Sequence, residues 1–372
     1  MRIRNILCAA LAALALLPMA CSPAGTVTIQ GCGATFPAPL YKRWFLEFYR
    51  QEPDVRVNYQ AIGSGAGMRQ LEEGLVHFGA TDEAQSEDKL KAMAKKISDR
   101  EGAPVELVQF PMTSGAVAIS YNVPGNPEIK LSRSVYVSIF LGEIKDWSDE
   151  RIKALNPGVK LPSLVMTVVR RAEGSGTTFN FTNHLNAVDT RWKKDNGGPG
   201  AAKTVQWPVG IGGKGNAGVA ALIEQTPGAI GYIEAGYAEL IDLPMAKLEN
   251  QAGEYVRPTE ENVRTALAEA KFNKVLGATI ADPKGKHAYP IVTFTWLVCR
   301  KKYADPRIGE KLKAVLEYCL ESTPGRGQAL SNDLGYVELP ADTLKAAHEA
   351  VKGLQLPADS QNAAREAVQG TH

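Results

Sequence analysis

The 372-residue sequence has almost no excess of charge of either sign. Lysine and arginine together number 42 and aspartate and glutamate 40, which leaves a formal net charge of +2 at pH 7. Proteins that bind nucleic acid in general carry a strong basic excess, so this balance argues against that class of function. An anion that binds here must be held by local hydrogen bonds and a few nearby charges, because no strong field covers the whole surface.

The motifs of metal, nucleotide and serine-hydrolase chemistry are also missing. The sequence has five cysteines and five histidines, without a CxxC pair or a Cys/His cluster, which argues against a metal site. No glycine-rich P-loop ending in Gly-Lys-Ser or Gly-Lys-Thr is present. Ser64 and Ser175 both follow a glycine, but Ile62 and Glu173 stand where a GxSxG nucleophile elbow requires its first glycine.

Only the first residues contain an apolar run of note, and it is too short to span a bilayer. Residues 1–5 are basic, residues 6–17 form the apolar run, and small residues and Cys21 follow. This order predicts an export signal over residues 1–20. The segment 17–21 resembles a bacterial lipoprotein signal, in which Cys21 becomes the lipidated first residue. The alternative is an ordinary signal peptidase cutting near residues 22–24, which gives a soluble secreted protein.

Three cysteines remain beyond the signal and Cys21, namely Cys32, Cys299 and Cys319. Export permits a disulfide, and Cys299 with Cys319 is the more favourable pair. The alternative is that all three are buried free thiols. Both states are compatible with the sequence.

Strand-like and helix-like segments alternate along the chain, which predicts an α/β fold with a parallel sheet. A length of 372 residues is too great for one simple core and predicts two lobes. We expect separate strands at 105–110 and 116–121, and a helix over 144–156 anchored by Trp147. The glycine-rich segment 212–216 is interpreted as a surface loop or a contact between lobes.

Four places where a predicted strand ends carry small polar residues. Three lie in the first third of the chain, at 33–36, 63–67 and 79–82, and the fourth lies well downstream at 170–178. Ligands of open α/β sheets bind at the carboxyl ends of strands, and the free N–H groups of a following helix attract anions. The pattern therefore predicts an anion between two lobes, with three loops from one lobe and the fourth from the other.

Each of these residues has a simpler structural interpretation when it is taken alone. Ser64 and Ser175 are well placed to cap the helices that follow them. Asp82 suits a cap or a solvated carboxylate at a strand end. Arg171 and Glu173 would be an exposed ion pair. Only the four segments together favour a binding site over these local roles.

Together the four segments resemble the periplasmic phosphate-binding proteins of high-affinity phosphate ABC transporters. Three further segments match in the same order, so the resemblance spans nearly the whole chain after the signal. The matching segments are 33–39 (GATFPAP), 59–65 (YQAIGSG), 78–82 (FGATD), 168–177 (VVRRAEGSGT), 212–216 (GGKGN), 227–232 (PGAIGY) and 289–291 (YPI).

The resemblance implies an α/β, two-lobe periplasmic-binding-protein fold of type II, with the ligand in the cleft between the lobes and two hinge crossings. Lobe I then comprises residues 25–115 and 291–372, and lobe II residues 116–290. A monomeric, non-enzymatic protein without a cofactor is implied, located in the periplasm or anchored to the cell envelope through Cys21. Its partners would be inorganic phosphate and the membrane permease subunits of a phosphate ABC transporter, with no nucleic acid.

The resemblance also implies a divided phosphate-binding site. The residues that it assigns are Thr35, Phe36, Ser64 and Asp82 from one lobe, and Arg171, Glu173, Ser175, Gly176 and Thr177 from the other. A dehydrated phosphate needs many donors, which hydroxyl and N–H groups supply, and Arg171 adds charge-assisted bonds. A carboxylate beside the anion accepts the proton that phosphate carries. Sulfate has no proton at neutral pH, so the same carboxylate disfavours sulfate.

The sequence departs from the family pattern at two positions. The family usually has aspartate where this chain has Glu173, whose carboxylate is one methylene further from the backbone. We expect Glu173 to fold back or its loop to shift, and Asp82 to carry more of the discrimination. Gly65 stands where a second serine is common, so only Ser64 is assigned from that loop.

Three other functions compete with phosphate capture. The nearest is binding of another tetrahedral oxyanion, such as sulfate or molybdate, and the carboxylates of Asp82 and Glu173 argue against a fully deprotonated ligand. A secreted phosphohydrolase would need a metal cluster or an activated nucleophile, and the sequence shows neither. A surface or adhesive protein that kept the fold would have lost anion binding.

Overall fold

The structure is a computed structural model, and it describes residues 25–355. The predicted signal over 1–20, Cys21 and the part of lobe I beyond residue 355 lie outside the described residues. Within residues 25–355 the strands are β1 (Val27–Gly33), β2 (Val55–Ala61), β3 (Phe78–Thr81), β4 (Leu107–Tyr121), β5 (Lys130–Leu131), β6 (Thr167–Arg171), β7 (Ile211–Gly213), β8 (Ala229–Glu234), β9 (Lys247–Glu249), β10 (Tyr255–Val256) and β11 (Val292–Arg300).

Helices follow most of the strands. They are α1 (Ala38–Gln51), α2 (Ser64–Glu72), α3 (Glu87–Glu101), α4 (Arg133–Phe140), α5 (Glu150–Leu155), α6 (Gly176–Val188), α7 (Gly215–Gln225), α8 (Ala235–Leu240), α9 (Glu260–Leu267), α10 (Pro306–Leu320) and α11 (Ala341–Lys352). Short 3-10 turns lie at Thr190–Trp192, Lys194–Asn196, Gly327–Leu330 and Asn332–Leu334. Across the described residues, none of the helices has the length and apolar character that a membrane span requires.

One eight-stranded sheet runs through the molecule in the order β2-β1-β3-β11-β4-β8-β6-β7. At one side β1 pairs in parallel with β2 and β3, and at the other β6 pairs in parallel with β7 and β8. Between them β11 and β4 run antiparallel to their neighbours. Two parallel units are therefore joined through two long strands, which gives a two-lobe α/β arrangement. A separate small sheet has the order β10-β9-β5.

Strand β4 pairs with strands of both units. Its residues 107–116 pair with β11, and its residues 117–121 pair with β8. The prediction of separate strands at 105–110 and 116–121 is wrong, because the intervening residues continue the ladder through a register shift opposite Thr295 and Trp296. The change of partner falls between Ala116 and Val117. The lobe boundaries at residues 115/116 and 290/291 stay a prediction.

The helix predicted over 144–156 is wrong in its first half. Asp146 forms an isolated antiparallel bridge with Val165. Helix α5 begins only after Asp149, whose side chain caps it. Because Asp146 pairs in a bridge and Asp149 is the N-cap of α5, residues 144–149 are not helical. Trp147 is fully buried, in agreement with its predicted role as an anchor.

The three cysteines among the described residues, Cys32, Cys299 and Cys319, are buried free thiols. Of the two states left open by the sequence, the structure has the free thiols. Burial raises the pKa of the Cys32 thiol to about 11 and that of Cys299 to about 12. Thiols held protonated in this way are inert, so these cysteines have a packing role.

Candidate functional site

The four loops that carry the predicted site residues meet at the ends of strands β1, β2, β3 and β6. The chain passes from β1 into α1 through Thr35, enters α2 at Ser64, and enters α6 just after Ser175. Asp82 follows β3 directly. All four residues are buried. The first turns of α2 and α6 supply backbone N–H groups that have no partner within their own helix, which favours negative charge at this point.

Ser64 connects the loops of the two lobes. Its Oγ accepts the backbone N–H of Gly176 at 3.1 Å and that of Asp82 at 3.4 Å. Gly63 occupies the N-cap position of α2 with φ of +92°, a conformation that glycine adopts without strain. No side chain caps this helix. The capping interpretation is therefore wrong for Ser64, whose hydroxyl bonds to the opposite lobe instead.

The capping interpretation is confirmed for Ser175. This residue is the N-cap of α6, and its Oγ accepts the N–H of Thr178 at 3.1 Å. The next residue, Gly176, packs directly against Asp82. A Cβ at position 176 would come within 2.6 Å of the Asp82 backbone nitrogen, so a larger residue would force the two loops apart.

Thr177 lies at the centre of the group. Its Oγ1 is 3.2 Å from Nη1 of Arg171 and 3.3 Å from Nδ2 of Asn216. Both nitrogens are donors, so together they occupy the two lone pairs of the hydroxyl oxygen. The hydroxyl proton is then directed to Oδ2 of Asp82, which lies 3.3 Å away.

The hydroxyl oxygen of Thr35, like that of Thr177, accepts two N–H groups. Oγ1 of Thr35 accepts the backbone N–H of Asn216 at 3.1 Å and the side-chain N–H of the same residue at 2.9 Å. The adjacent Phe36 is fully buried, and its carbonyl accepts the hydroxyl of Tyr336 at 2.6 Å. The Phe36 ring packs edge-on against the Tyr336 ring. Phe36 thus fixes the loop to the core while Thr35 contacts the opposite lobe.

Arg171 and Glu173 form a buried ion pair. The Arg171 side chain is 1% exposed and that of Glu173 is 21% exposed, so the expectation of an exposed pair is wrong. Nε of Arg171 donates to Oε1 of Glu173 at 2.9 Å, and Nη2 donates to the same oxygen. That oxygen also accepts the N–H of Gly215 at 3.1 Å. Glu173 therefore folds back onto the arginine beside it, which is the first of the two arrangements expected for its longer side chain.

Asp82 has a different environment from Glu173. It is 1% exposed, and its Oδ1 has no hydrogen-bond partner among residues 25–355. Burial raises the pKa of this carboxyl to about 7, although Arg171, the Thr177 hydroxyl and Lys203 act in the opposite direction. A carboxyl with this pKa changes its protonation state near neutral pH, and it has one oxygen available for a further hydrogen bond.

An ion pair between the two lobes lies beside Asp82. Nζ of Lys203 is 2.8 Å from Oε2 of Glu83, and the two side chains are 21% and 12% exposed. The Lys203 carbonyl accepts the N–H of Ser175, which ties the lysine to the start of α6. The pair therefore holds the loop after β3 against the loop before α6.

Two asparagines of the site were missed at the level of sequence. Asn180 donates from Nδ2 to the Asp82 carbonyl at 2.6 Å and to the Gly176 carbonyl at 2.9 Å. Asn216 is fully buried and contacts Thr35. The segment 212–216 is the end of β7 and the start of α7, so the surface-loop interpretation is wrong and the interpretation as a contact between lobes is confirmed. The glycines before Asn216 were a usable signal, since they let the helix start approach other backbone closely.

The geometry favours a ligand that is rich in hydrogen-bond acceptors. N–H donors occupy both lone pairs on the hydroxyl oxygens of Thr35 and Ser64. Toward any further group, each hydroxyl can only donate its proton. The buried carboxylate of Asp82 has a free acceptor oxygen. Oε2 of Glu173 is free as well, and several donors beside these acceptor oxygens suit an oxyanion that carries a proton.

Across residues 25–355, no group of three or more histidine, cysteine, aspartate or glutamate side chains is placed to hold a metal ion. The buried His184 is engaged by the hydroxyl of Tyr136 at 2.8 Å and the carbonyl of Ala281 at 2.8 Å. Both ring nitrogens of His184 are therefore engaged by other residues of the protein.

Known proteins resemble this chain over most of its length. A model of the PBP superfamily domain matches residues 20–323. The phosphate-binding protein PstS of Haemophilus influenzae is 36% identical over 321 residues, which cover 85% of this chain and 90% of that protein. The phosphate-binding protein PstS of Methanocaldococcus jannaschii is 38% identical over 345 residues, which cover 88% of this chain and 86% of that protein.

Solved structures share the fold at lower sequence identity. The high-affinity periplasmic phosphate-binding protein PfluDING, solved with bound phosphate, has a TM-score of 0.69 at 20% identity and covers 89% of this chain and 100% of its own. The phosphate-binding protein from Stenotrophomonas maltophilia has a TM-score of 0.69 at 22% identity, with coverage of 87% and 93%. These likenesses confirm the predicted two-lobe periplasmic-binding-protein fold.

Proposed function

Because the chain belongs to the PBP superfamily and to the family of the phosphate-binding proteins PstS, we propose that it captures inorganic phosphate and delivers it to an ABC-type phosphate importer. The protein binds and releases its ligand without chemical conversion. Nine residues form the phosphate site: Thr35, Phe36, Ser64, Asp82, Arg171, Glu173, Ser175, Gly176 and Thr177.

The observation that carries this proposal is the pairing of donor-only hydroxyls with buried carboxylate oxygens that have no partner. Thr35 and Ser64 can only donate toward a ligand, since their lone pairs are filled from the protein. Oδ1 of Asp82 and Oε2 of Glu173 are buried acceptors without a partner of their own. Hydrogen phosphate supplies several bare oxygens for the donors and one O–H for the carboxylate, which sulfate and molybdate lack.

Hinge closure is the proposed capture step. Contacts between the lobes include Ser64 with Gly176 and the ion pair of Lys203 with Glu83. These contacts surround the position of the anion and exclude water, which strengthens each hydrogen bond to it. The membrane permease would then recognise the closed form. The hinge crossings at residues 115/116 and 290/291 belong to this proposal, and the change of partner along β4 at residues 116–117 supports the first of them.

The cellular setting follows from the family and the first residues of the chain. We place the mature protein outside the cytoplasm, in the periplasm, as a monomer that meets the permease subunits of its transporter. A lipid on Cys21 would hold it to the cell envelope. Mass spectrometry of the protein purified from its membrane fraction tests this anchor, because acylation adds the mass of the lipid and Cys21→Ala removes it.

Calorimetric titration of the mature protein tests the proposed ligand. Phosphate and arsenate, which have the same shape and both carry a proton, should bind at one site per chain. Sulfate at pH 8 should bind at least about a hundredfold more weakly, because it leaves the Asp82 carboxylate facing a bare oxygen. Equal affinity for phosphate and sulfate would contradict the proposal. Release of phosphate from a phosphomonoester with added divalent metals would instead identify a hydrolase.

A further inference from the structure

Asn216 joins the two lobes from the first turn of α7. The side chain is fully buried. Its Nδ2 lies 2.9 Å from Oγ1 of Thr35 and 3.3 Å from Oγ1 of Thr177, and its backbone N–H lies 3.1 Å from the same Thr35 oxygen. A single residue therefore touches hydroxyls on both sides of the proposed phosphate site.

The orientation of the Asn216 amide is fixed by the backbone. Its Oδ1 accepts the N–H of Glu234 at 3.0 Å, where β8 ends. A backbone N–H can only donate, so the oxygen of the amide must face Glu234 and the nitrogen must face the two threonines. The amide thus has one allowed orientation, and Nδ2 presents only donors to both hydroxyls.

We propose that Asn216 is a specificity-determining positioning residue, which forces the Thr35 and Thr177 hydroxyls to act as donors when the lobes close. The inference rests on the proposed function and deepens it. Thr35 receives two N–H groups from Asn216, and Thr177 receives one from Asn216 and one from Arg171. With both lone pairs filled, neither hydroxyl can accept a proton from a ligand. The ligand proton must then go to a carboxylate, and Oδ1 of Asp82 and Oε2 of Glu173 are the site oxygens without a partner.

Closure of the lobes fixes the Thr35 hydroxyl as a donor and thereby selects the protonation state of the bound anion. Thr35 and Asn216 are 181 residues apart in sequence and belong to opposite sides of the cleft. In an open form Thr35 would lose both N–H partners, and its hydroxyl could donate or accept. Closing restores the donor-only state, so a ligand with a proton facing Thr35 loses a hydrogen bond on closure. Asn216 therefore favours the anion with one proton over forms with more.

The test replaces the Nδ2 donor with an acceptor of the same shape. In Asn216→Asp a carboxylate oxygen faces the two threonines and draws the Thr35 proton away from the ligand and the Thr177 proton away from Asp82. Phosphate affinity at pH 8 should fall about a hundredfold and recover as the pH falls and the new carboxyl takes up a proton. Asn216→Ala only removes the contacts, and should lose about tenfold with the pH dependence of the unmodified protein.

Ala217→Asp is the matched charge control, since position 217 is the next residue of the same helix turn and is exposed. It should bind phosphate nearly as the unmodified protein does. Near-unmodified affinity in Asn216→Asp, or equal losses with parallel pH profiles in the Asp and Ala variants, would overturn the inference. Circular dichroism and thermal unfolding verify the fold of each variant. If the unmodified protein itself does not bind phosphate, the proposed function fails, and this result is distinct from either outcome.

Discussion

The two carboxylates of the site lie in loops of opposite lobes and have opposite surroundings. Glu173 follows β6 by one turn, and its Oε1 receives N–H groups from Arg171 and Gly215. Asp82 follows β3, and its Oδ2 accepts the hydroxyl of Thr177. Its Oδ1 has no hydrogen-bond partner among residues 25–355. Oε2 of Glu173 is likewise buried without a partner, so each carboxylate keeps one acceptor oxygen for a ligand. The two differ because Glu173 is paired directly with the Arg171 guanidinium, whereas Asp82 accepts the Thr177 hydroxyl.

From this contrast we infer different roles for the two carboxylates. Glu173 orients the Arg171 guanidinium, and the guanidinium in turn offsets the charge of the carboxylate next to the anion. In this inference Asp82 receives the proton of the ligand, since burial raises its pKa to about 7 and its Oδ1 is free. We therefore expect substitutions around Asp82 to change which anion binds, and substitutions at Glu173 to change how well Arg171 is held.

The largest effect is expected for Arg171→Ala. This change removes the buried cation and leaves the Glu173 carboxylate unpaired beside the anion. Phosphate affinity should fall about a thousandfold, because two charge-assisted hydrogen bonds are lost and a repulsive charge is uncovered. Calorimetry measures the loss.

The matched control is Arg191→Ala in the same lobe. Arg191 also pairs with carboxylates, those of Asp189 and Glu143, but its contacts are with residues outside the phosphate site. Phosphate affinity in this variant should stay within about threefold of the unmodified value. An equal loss in both variants would show that Arg171 acts through stability of the lobe and not through the anion.

Asp82→Asn should have the second-largest effect and should change selectivity. An amide keeps the size of the side chain but offers N–H where the ligand proton needs an acceptor. Phosphate affinity should fall about thirtyfold, sulfate affinity should rise, and the preference for phosphate should largely disappear. Competition of sulfate against labelled phosphate measures the ratio. Asp54→Asn, at an ion pair with Lys311 on the surface, is the control, and this variant should retain the preference for phosphate over sulfate.

Sulfate binding should depend on pH through the same carboxyl. Sulfate carries no proton between pH 5 and 9, so it binds only when Asp82 itself is protonated and can donate. The pKa of Asp82 is raised to about 7, and its protonated fraction falls with rising pH above that value. Sulfate affinity should therefore be level below pH 7 and fall about tenfold per pH unit above it. Titrations at pH 6, 7, 8 and 9 test this.

The Asp82→Asn variant is the control for the pH series, because it has no proton to lose at this position. Its sulfate affinity should not change across the same range. A pH dependence that persists in the variant would assign the titration to another group. A flat profile in the unmodified protein would mean that Asp82 does not control anion choice.

The parts of the site that are local in sequence were predictable. The Ser175 cap depends on a hydroxyl and an N–H three residues apart, and the strand-to-helix pattern alone indicates it. The position of Asp82 after a strand follows from the same pattern. The pairing of Arg171 with Glu173 was predicted, but its burial was not, because burial depends on packing of the opposite lobe.

The parts that depend on long-range contact could not be predicted. The Ser64 hydroxyl bonds to Gly176, 112 residues away, so a local capping rule gives the wrong partner. Strand β4 contains Pro111 and Gly115, which interrupt a strand pattern in sequence, and pairing with β11 nevertheless carries the ladder through them. In both cases a contact with residues distant in sequence overrides the conformation that the local sequence favours.

The smallest effect is expected for Glu173→Gln. In Glu173→Gln an amide oxygen can still accept from Arg171, and the negative charge near the anion is lost. The weaker hold on the guanidinium lowers phosphate affinity, while the loss of repulsion raises it, so the net change should stay within about threefold. Glu143→Gln, at a carboxylate that pairs with Arg191 outside the phosphate site, is the control and should leave binding unchanged.

Glu173→Asp gives the sharper comparison of the two carboxylates. The shorter side chain cannot reach Nε and Nη2 of Arg171 from the present backbone, so the loop must move or the guanidinium must turn. Phosphate affinity should change by up to about tenfold, but the preference over sulfate should persist because Asp82 is untouched. A gain of sulfate binding in the Glu173 variants as large as in Asp82→Asn would reverse the assignment, since the ligand proton would then be received at Glu173.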